Sequence, residues 1–564
     1  MHAKEIIKKL NNALDAACRE YFIKDLAGLP FPETADLGFC VARDERHGDL
    51  SSNTAMRLAS SAKRPPQDIA KALIPIFRTY VERSGLISYV KETEFKGGFL
   101  NVRFSDAYFR DLMIMVKRSG RDYGRSTSGS GKKVNIEFVS ANPTGPLTIA
   151  HARQAAIGDA LARILRYSGY EVTCEYYLND CGRQINLLGK SVEVRYRNLF
   201  GIEESMPEDG YRGEYIVDMA KEVRKRHGER FLKGGPEAEG FFRKFSVSQQ
   251  MADITKDLED FGVKFDVWTS QGAIEARHEV ENALLELTRK GFIYDSEGAK
   301  WFASSRLGDD KDRVVRKSDG AYTYLAPDIA YHRDKYLRGF DRLIDLLGPD
   351  HHGYINRMKA AVQALGHDAK SLDILIVQLV SLFRGGEQVR MSTRKAEFIS
   401  LREILDELGK DVSRYCFLSR RLDSHLDFDI EVAKKESMDN PVYYVQYAHA
   451  RICSIMKYSR KKRFALLFTP IKLDLLAEAR ERKLMRRIAE FPFVVESAQE
   501  ALEPNRLVVY LNELAGEFHS FYTDCRVVSD DPRLTKARLF LVDLVRIVLT
   551  NGLGLLNVTM PEKM

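Results

Sequence analysis

The sequence predicts a multidomain chain: a central α/β domain with a parallel sheet, a small α+β domain before it and an all-α helical bundle after it. Three observations carry this expectation. The chain has 564 residues, too many for one hydrophobic core. Strand-like and helix-like stretches alternate from about 132 to 440, the pattern of a parallel sheet covered by helices. From 441 to 564 apolar residues recur at helical spacing with few strand signals, which predicts packed helices.

Taken in order, residues 1–115 read as the α+β domain. The stretch "GDLSSNTAMRLA" sets Ser and Asn before an apolar periodic run, a helix-start signal, and Pro65 and Pro66 open a second helix. Two glycines in "KGGFLNVRFS" introduce a short alternating strand. Residues 116–131 are expected to be a core-free linker, most of it from the basic, Gly/Ser-rich stretch "RSGRDYGRSTSGSGKK" at 118–133. It imitates a P-loop, but Gly131-Lys132 is followed by Lys133 and the stretch precedes a strand, so that reading is rejected. The domain at 132–440 opens with a strand at 133–139, a helix at about 148–167, Gly169 as its stop and a second strand, "YEVTCEYYL". This βαβ unit predicts a Rossmann-like sheet with its ligand crevice at the carboxyl ends of the strands. Residues of about 190–300 read as a mostly helical insertion, after which "FDRLIDLLGPDHHGY" and "LDILIVQLVSLF" resume the sheet.

Composition narrows the function classes. No apolar run reaches the ~18 residues needed to span a bilayer, and the N-terminus lacks the continuous apolar centre of a signal peptide, so a cytoplasmic location and no membrane partner are expected. Seven scattered cysteines form no CxxC pair, which argues against a disulfide framework and a structural zinc. His351 and His352 are adjacent, point apart and have no evident third ligand, so no metal site is assigned. The net charge of +7, from 87 basic and 80 acidic residues, is compatible with a polyanionic partner without requiring one.

The chemistry begins at "SANPTGPLTIAH", Ser140 to His151, between the first strand and its helix. A helix start at a strand's carboxyl end presents free N–H groups and a dipole to an anion. His151 in the first turn adds a donor to a phosphate, Gly145 permits close backbone approach, and the prolines stiffen the loop. The turn therefore reads as a nucleotide-phosphate cradle.

The run "EFVSANPTGPLTIAHARQAAIGDALARILRYSGYEVTCEYYLNDCGRQI" resembles the nucleotide-binding signature of the class I aminoacyl-tRNA synthetases, and within them the arginyl-tRNA synthetases. Thr148-Ile149-Ala150-His151 falls where that family carries its His-x-Gly-His tetrad, so His151 matches while Thr148 and Ala150 depart. By the resemblance, Thr144, Gly145, Pro146, Leu147, Thr148, Ala150 and His151 face ATP. A threonine cannot carry charge, and losing one contact of about 1.5–3 kcal/mol would slow adenylation roughly ten- to a hundred-fold. Arg153 and Gln154 are the neighbours expected to compensate.

Further segments extend the resemblance. "VRMSTRKAEFISL" is similar to the family's mobile loop, whose cations clamp the pyrophosphate leaving group; Arg390, Met391 and Ser392 match its start, and Thr393 stands at the usual second lysine. Arg394, Lys395, Lys132 or Lys133 would supply the charge there. In "GAYTYLAPDIAYHRDKY" the family's Tyr-x3-Asp pair, here Tyr324 and Asp328, lies beside the substrate guanidinium, with Glu137, Ser140 and Asn142 at further substrate-contacting positions. A carboxylate suits a guanidinium because the pairing is bidentate and charge-assisted. Gly348 and Asp350 match a nucleotide-contacting element. The segment from Asn440, "NPVYYVQYAHARICSIMKYSRKKR", resembles the helical anticodon-binding domain, with Tyr443, Tyr447, Arg451, Arg460 and Lys461 suited to stacking on bases and contacting phosphates. The N-terminal unit resembles the extra domain that arginyl synthetases set on the outer corner of tRNA.

The resemblance covers essentially the whole chain. It implies a ligase that activates L-arginine with ATP, accompanied by Mg2+, and transfers it to the 3′ end of arginine tRNA as a monomer. It further implies attack by the 2′-hydroxyl and adenylate formation that needs tRNA. The altered tetrad and Thr393 leave one alternative, a weakened or inactive paralogue that binds tRNA without charging it; the retained Glu137, Asn142, Tyr324 and Asp328 argue for the enzyme.

Overall fold

The computed structural model of the chain describes residues 3–33, 37–42, 44–389, 399–461 and 471–564. At its centre lies a five-stranded sheet whose strands are all parallel: β1 (Lys133–Glu137), β2 (Glu171–Leu178), β3 (Val267–Ser270), β4 (Arg342–Leu347) and β5 (Leu372–Ile376). Across the sheet they run β5-β4-β1-β2-β3. The winding direction reverses beside β1, so a crevice opens beyond the carboxyl ends of β1 and β4. β1 is buried on both faces from Val134 to Glu137, as expected of a central parallel strand.

The helix Ile149–Tyr167 connects β1 to β2 and is buried almost all round. Its small residues permit this. A Cβ on Gly158 would stand 2.2 Å from the Phe138 ring, so glycine lets the helix lie directly on the end of β1.

Two expected boundaries move. The sequence predicts an insertion over about 190–300, yet the sheet resumes at Val267–Ser270, paired in parallel with β2; four half-exposed residues are too few for alternation to mark them. The inserted helices are Arg183–Asn198, Glu214–His227 and Pro236–Asp260, around a core of their own that includes Leu188, Tyr196, Ile216 and Phe242. The stretch "LDILIVQLVSLF" also divides, with Val380–Arg384 leaving for a separate three-stranded sheet.

The expected linker at 116–131 is packed. The helix Asp106–Ser119 runs into it, and Tyr123 is buried with its hydroxyl donating to Ile488 O at 2.7 Å. A Cβ on Gly124 would meet the Phe491 ring at 2.5 Å. Its glycines serve close approach as well as turning.

The N-terminal unit is a four-stranded antiparallel sheet with the helices Ala3–Asp25, Thr54–Ala62 and Pro66–Arg83. It docks on the C-terminal helices through Asp49 with Arg486 at 2.6 Å and Asp106 with Arg482 at 2.6 Å. Those C-terminal helices are Pro441–Lys461, Ala479–Ala501, Asn505–Asp524 and Pro532–Leu555. Among the described residues no helix is long and apolar enough to cross a membrane.

Candidate active site

A cavity of about 1170 Å³ occupies the crevice beyond β1 and β4. It gathers nine of the expected site residues: Glu137, Ser140, Asn142, Ala150, His151, Tyr324, Asp328, Gly348 and Asp350. They come from strand ends, helix starts and the turns between them, which is why the sequence separates them by up to 213 positions, 137 to 350.

The chain leaves β1 through two successive left-handed residues, Val139 at φ 70° and Ser140 at φ 37°. For β-branched valine this is a strained conformation. It turns the Ser140 hydroxyl back to donate to Glu137 Oε1 at 2.9 Å, while the same hydroxyl oxygen accepts from Tyr177 N at 3.0 Å. Asn142 is exposed, and its amide donates to Gln184 Oε1 at 2.8 Å.

Thr148 caps the next helix in extended conformation. Its backbone N–H donates to His151 Nδ1 at 3.1 Å, and its hydroxyl lies 3.2 Å from the same nitrogen. Nδ1 therefore accepts, and the neutral ring carries its proton on Nε2. Burial pushes the His151 pKa down to about 4, so the ring is an uncharged donor at neutral pH.

Five of the expected nucleotide residues lie outside the cavity wall. Thr148 supports His151; Leu147 is in the core; the Thr144 carbonyl accepts from Tyr215 OH at 2.7 Å; Gly145 lies close to the same hydroxyl; and Pro146 continues the turn. Arg153 is no substitute for a missing cation. It is fully buried, its guanidinium donating to the carbonyls of Gln378 at 2.8 Å, Ser424 at 2.9 Å and Arg421 at 2.8 Å. Lys132 and Lys133 stand at the amino end of β1, opposite the cavity. Gln154 does line it.

Arg390, Met391, Ser392, Thr393, Arg394 and Lys395 lie outside the described residues. The chain that follows them is tied to the first motif: Ile149 N donates to Ile399 O at 3.2 Å, and Leu401 N to Leu147 O at 2.7 Å.

The opposite wall is built by the helix Leu325–Leu337. Tyr324 stands at the rim, 82 % exposed. Asp328, in the first turn, accepts from the Tyr354 hydroxyl, and burial raises its pKa. Behind it is a cluster that the sequence reading missed. The Lys335 ammonium donates to Glu137 Oε2 at 2.6 Å and to Asp345 Oδ1 at 2.9 Å. His332 lies 2.8 Å from both Asp345 Oδ2 and the Asp328 carbonyl, one on each ring nitrogen. Both partners are acceptors, so the ring is an imidazolium; against the burial that opposes charge, Asp345 raises its pKa. The signals were a histidine and a lysine four and seven residues after Asp328, on its helix face, and an aspartate inside the apolar strand "RLIDLL".

In the helix Pro441–Lys461 the rings of Tyr443 and Tyr447 are half-buried and stacked, centroids 6.1 Å apart. Arg451 donates to Tyr522 OH at 2.8 Å. The side chains of Arg460 and Lys461 lie outside the described residues.

Comparison with known proteins agrees with this architecture. The family model of the tRNA synthetases class I (R) catalytic domain matches residues 114–420, that of the arginyl tRNA synthetase N terminal domain 4–104, and that of the DALR anticodon binding domain 445–564. An arginine–tRNA ligase of Geobacter sp. strain M21 is 47 % identical over 521 residues, covering 92 % of this chain and 93 % of the relative. Arginine–tRNA ligase 1 of Halalkalibacterium halodurans is 45 % identical over 543 residues, covering 95 % and 96 %. The fold also matches the Thermus thermophilus arginyl-tRNA synthetase structure, with TM-score 0.76 at 22 % identity, covering 99 % of this chain and 100 % of that one. From its three successive domains and its relatives along almost its whole length, the chain belongs to the arginyl-tRNA synthetase family.

Proposed function

We infer that this chain activates L-arginine with ATP, forming arginyl-adenylate and pyrophosphate, and then transfers the arginyl group to the 3′ end of arginine tRNA. The observation that carries the reading is one cavity with two unlike ends. At one end an uncharged histidine stands at a helix start; at the other are Asp328 and Glu137 with the charge network around them. The first suits a phosphate and the second a guanidinium. Both relatives described above are ligases by name, and nothing in them favours a chain that binds tRNA without charging it.

The substrate carboxylate is the nucleophile, so no protein nucleophile is needed; the protein orients arginine against the α-phosphate and stabilises charge on the leaving group. In this reading Asp328 takes the guanidinium, with Tyr324 closing over it from the rim. Asn142 and Ser140 orient the amino-acid backbone, Gly348 and Asp350 meet the nucleoside, and His151 donates Nε2–H to a phosphate oxygen. Arg390, Ser392, Arg394 and Lys395, with Met391 among them, serve the pyrophosphate. Magnesium enters with the ATP phosphates; among the described residues no three His, Cys, Asp or Glu side chains come together to hold an ion.

The unit up to about 115 and the helices from 441 serve the tRNA, with Tyr443, Tyr447, Arg451, Arg460 and Lys461 toward the anticodon. A cytoplasmic monomer completes the reading. The test is ATP–pyrophosphate exchange by the purified chain, with and without arginine tRNA, and with lysine and citrulline as controls. Exchange specific to arginine and dependent on tRNA is expected; its absence under every condition, with tRNA binding intact, would overturn the reading.

A further inference from the structure

The parallel register sets three carboxylates side by side. Glu137 on β1 is the direct partner of Asp345 on β4 and of Glu175 on β2. Side chains paired in register across neighbouring strands share a face of the sheet, and like charges there repel. All three are buried. Left to themselves they would take up protons, because neighbouring carboxylates cannot all ionise in a water-poor site.

One helix face answers the whole row. The helix Leu325–Leu337 and its C-terminal neighbour Arg338 bring three cations. Lys335 sits between Glu137 and Asp345, His332 bonds the other Asp345 oxygen, and Arg338 bonds both oxygens of Glu175 at 2.9 and 2.8 Å. Asp334, further out, lies between Arg277 at 3.5 Å and Arg338 at 3.0 Å. Counting the row together with Asp328, four carboxylates face three cations, which leaves one negative charge. Asp328 is the member of the four whose carboxylate bonds no cation among the described residues; its partner is the Tyr354 hydroxyl. A single guanidinium makes the balance complete.

We propose that Lys335 is a positioning residue for the amino-acid site: it anchors Glu137 against Ser140 and cancels the Glu137–Asp345 repulsion, so that Asp328 alone meets the substrate's one positive charge. This rests on the reading that this end of the cavity takes the guanidinium. Lys335 is wholly inaccessible, so it touches no substrate and acts only through Glu137 and Asp345. The Tyr331 ring, 4.3 Å from the ammonium, helps to wall it off from water.

The experiment measures arginine-dependent ATP–pyrophosphate exchange by the full chain, with tRNA present, for Lys335→Met, Lys335→Arg and Asp328→Asn at several pH values. Lys335→Met is expected to raise KM for arginine about ten-fold or more while leaving KM for ATP within about two-fold. Its arginine KM should fall as pH is lowered, because a proton then replaces the lost cation between the carboxylates; the wild-type chain should lack that dependence. Lys335→Arg should restore much of the loss. Equal rises in both KM values, or a Lys335→Met arginine KM indifferent to pH, would overturn the proposal in favour of a purely structural lysine.

Asp328→Asn separates the two levels of inference. If it leaves the arginine KM unchanged, the guanidinium reading itself fails, whatever Lys335→Met does. Should Lys335→Met not fold, the charge-balanced pair Lys335→Met/Asp345→Asn takes its place. It is expected to raise the arginine KM because Glu137 still lacks its anchor, and an unchanged KM would overturn the proposal.

Discussion

His151 and His332 line the same cavity, yet one is held neutral and the other charged. The physical cause differs at each. His151 has lost water and, among the described residues, has no carboxylate beside it, so burial wins and lowers its pKa to about 4. His332 is buried more deeply, but Asp345 and the Asp328 carbonyl accept from its two nitrogens, and the pKa moves up. The end assigned to the nucleotide therefore offers a donor that stays uncharged near neutrality, while the amino-acid end is a nearly balanced salt cluster. Residue type alone does not assign the charge of a histidine; its partners do.

The comparison can be broken most severely at His151. His151→Ala should lower the rate of arginine-dependent exchange about a hundred-fold, the usual cost of removing one donor from developing charge. His151→Gln, which keeps a neutral N–H, should recover part of that loss. If the ring worked as an imidazolium, the wild-type exchange rate would instead show an inflection near pH 6.5, and a pH profile of kcat distinguishes the two.

A second test uses stability. Between about pH 6.5 and 4 the unfolded chain binds a proton at residue 151 that the folded chain refuses, so stability should fall as pH drops through that window, by something on the order of 3 kcal/mol. At His332 the sign is reversed. Its contribution is complete below the ordinary histidine value and is lost as pH rises through the raised one. Urea midpoints measured across pH should show a shallower acid slope in His151→Gln, with His367, His449 and His519, whose pKa values are also lowered, keeping part of it, and a shallower alkaline slope in His332→Gln.

The smallest effect is expected at Thr148. The bond that orients His151 comes from the backbone N–H of residue 148, which any residue but proline supplies. Thr148→His should therefore change the adenylation rate by less than about ten-fold. A larger rise would show that the threonine is a handicap, and would weaken the view that this end of the cavity works with an uncharged donor alone.

Much of the site is legible in the sequence alone. The polar turn between a buried strand and a helix is a local pattern, and local patterns survive in one dimension. Tyr324, Asp328, Gly348 and Asp350 stand out through short motifs that resemble a known family, and the fold brings all four to the cavity. Arg153 shows where such reading stops. In the sequence it is a cation two residues from His151, whereas in the fold it points away and holds three carbonyls together. The expected linker at 116–131 is packed for a similar reason: Gly and Ser serve tight packing as readily as looseness, and distant partners such as the Phe491 ring beside Gly124 distinguish the two.

The order of the domains and the polar turn between the first strand and its helix could be read from the chain alone, because periodicity, caps and short spacings are properties of neighbours along it. Asp328 was singled out by resemblance to a known family. Tertiary structure alone decided which charges meet. The row of Asp345, Glu137 and Glu175, and the lysine laid into it from residue 335, depend on the register of three parallel strands and on where one helix crosses them. Register in a parallel sheet is set by packing between segments far apart in sequence, and no pattern within any one of those segments records it.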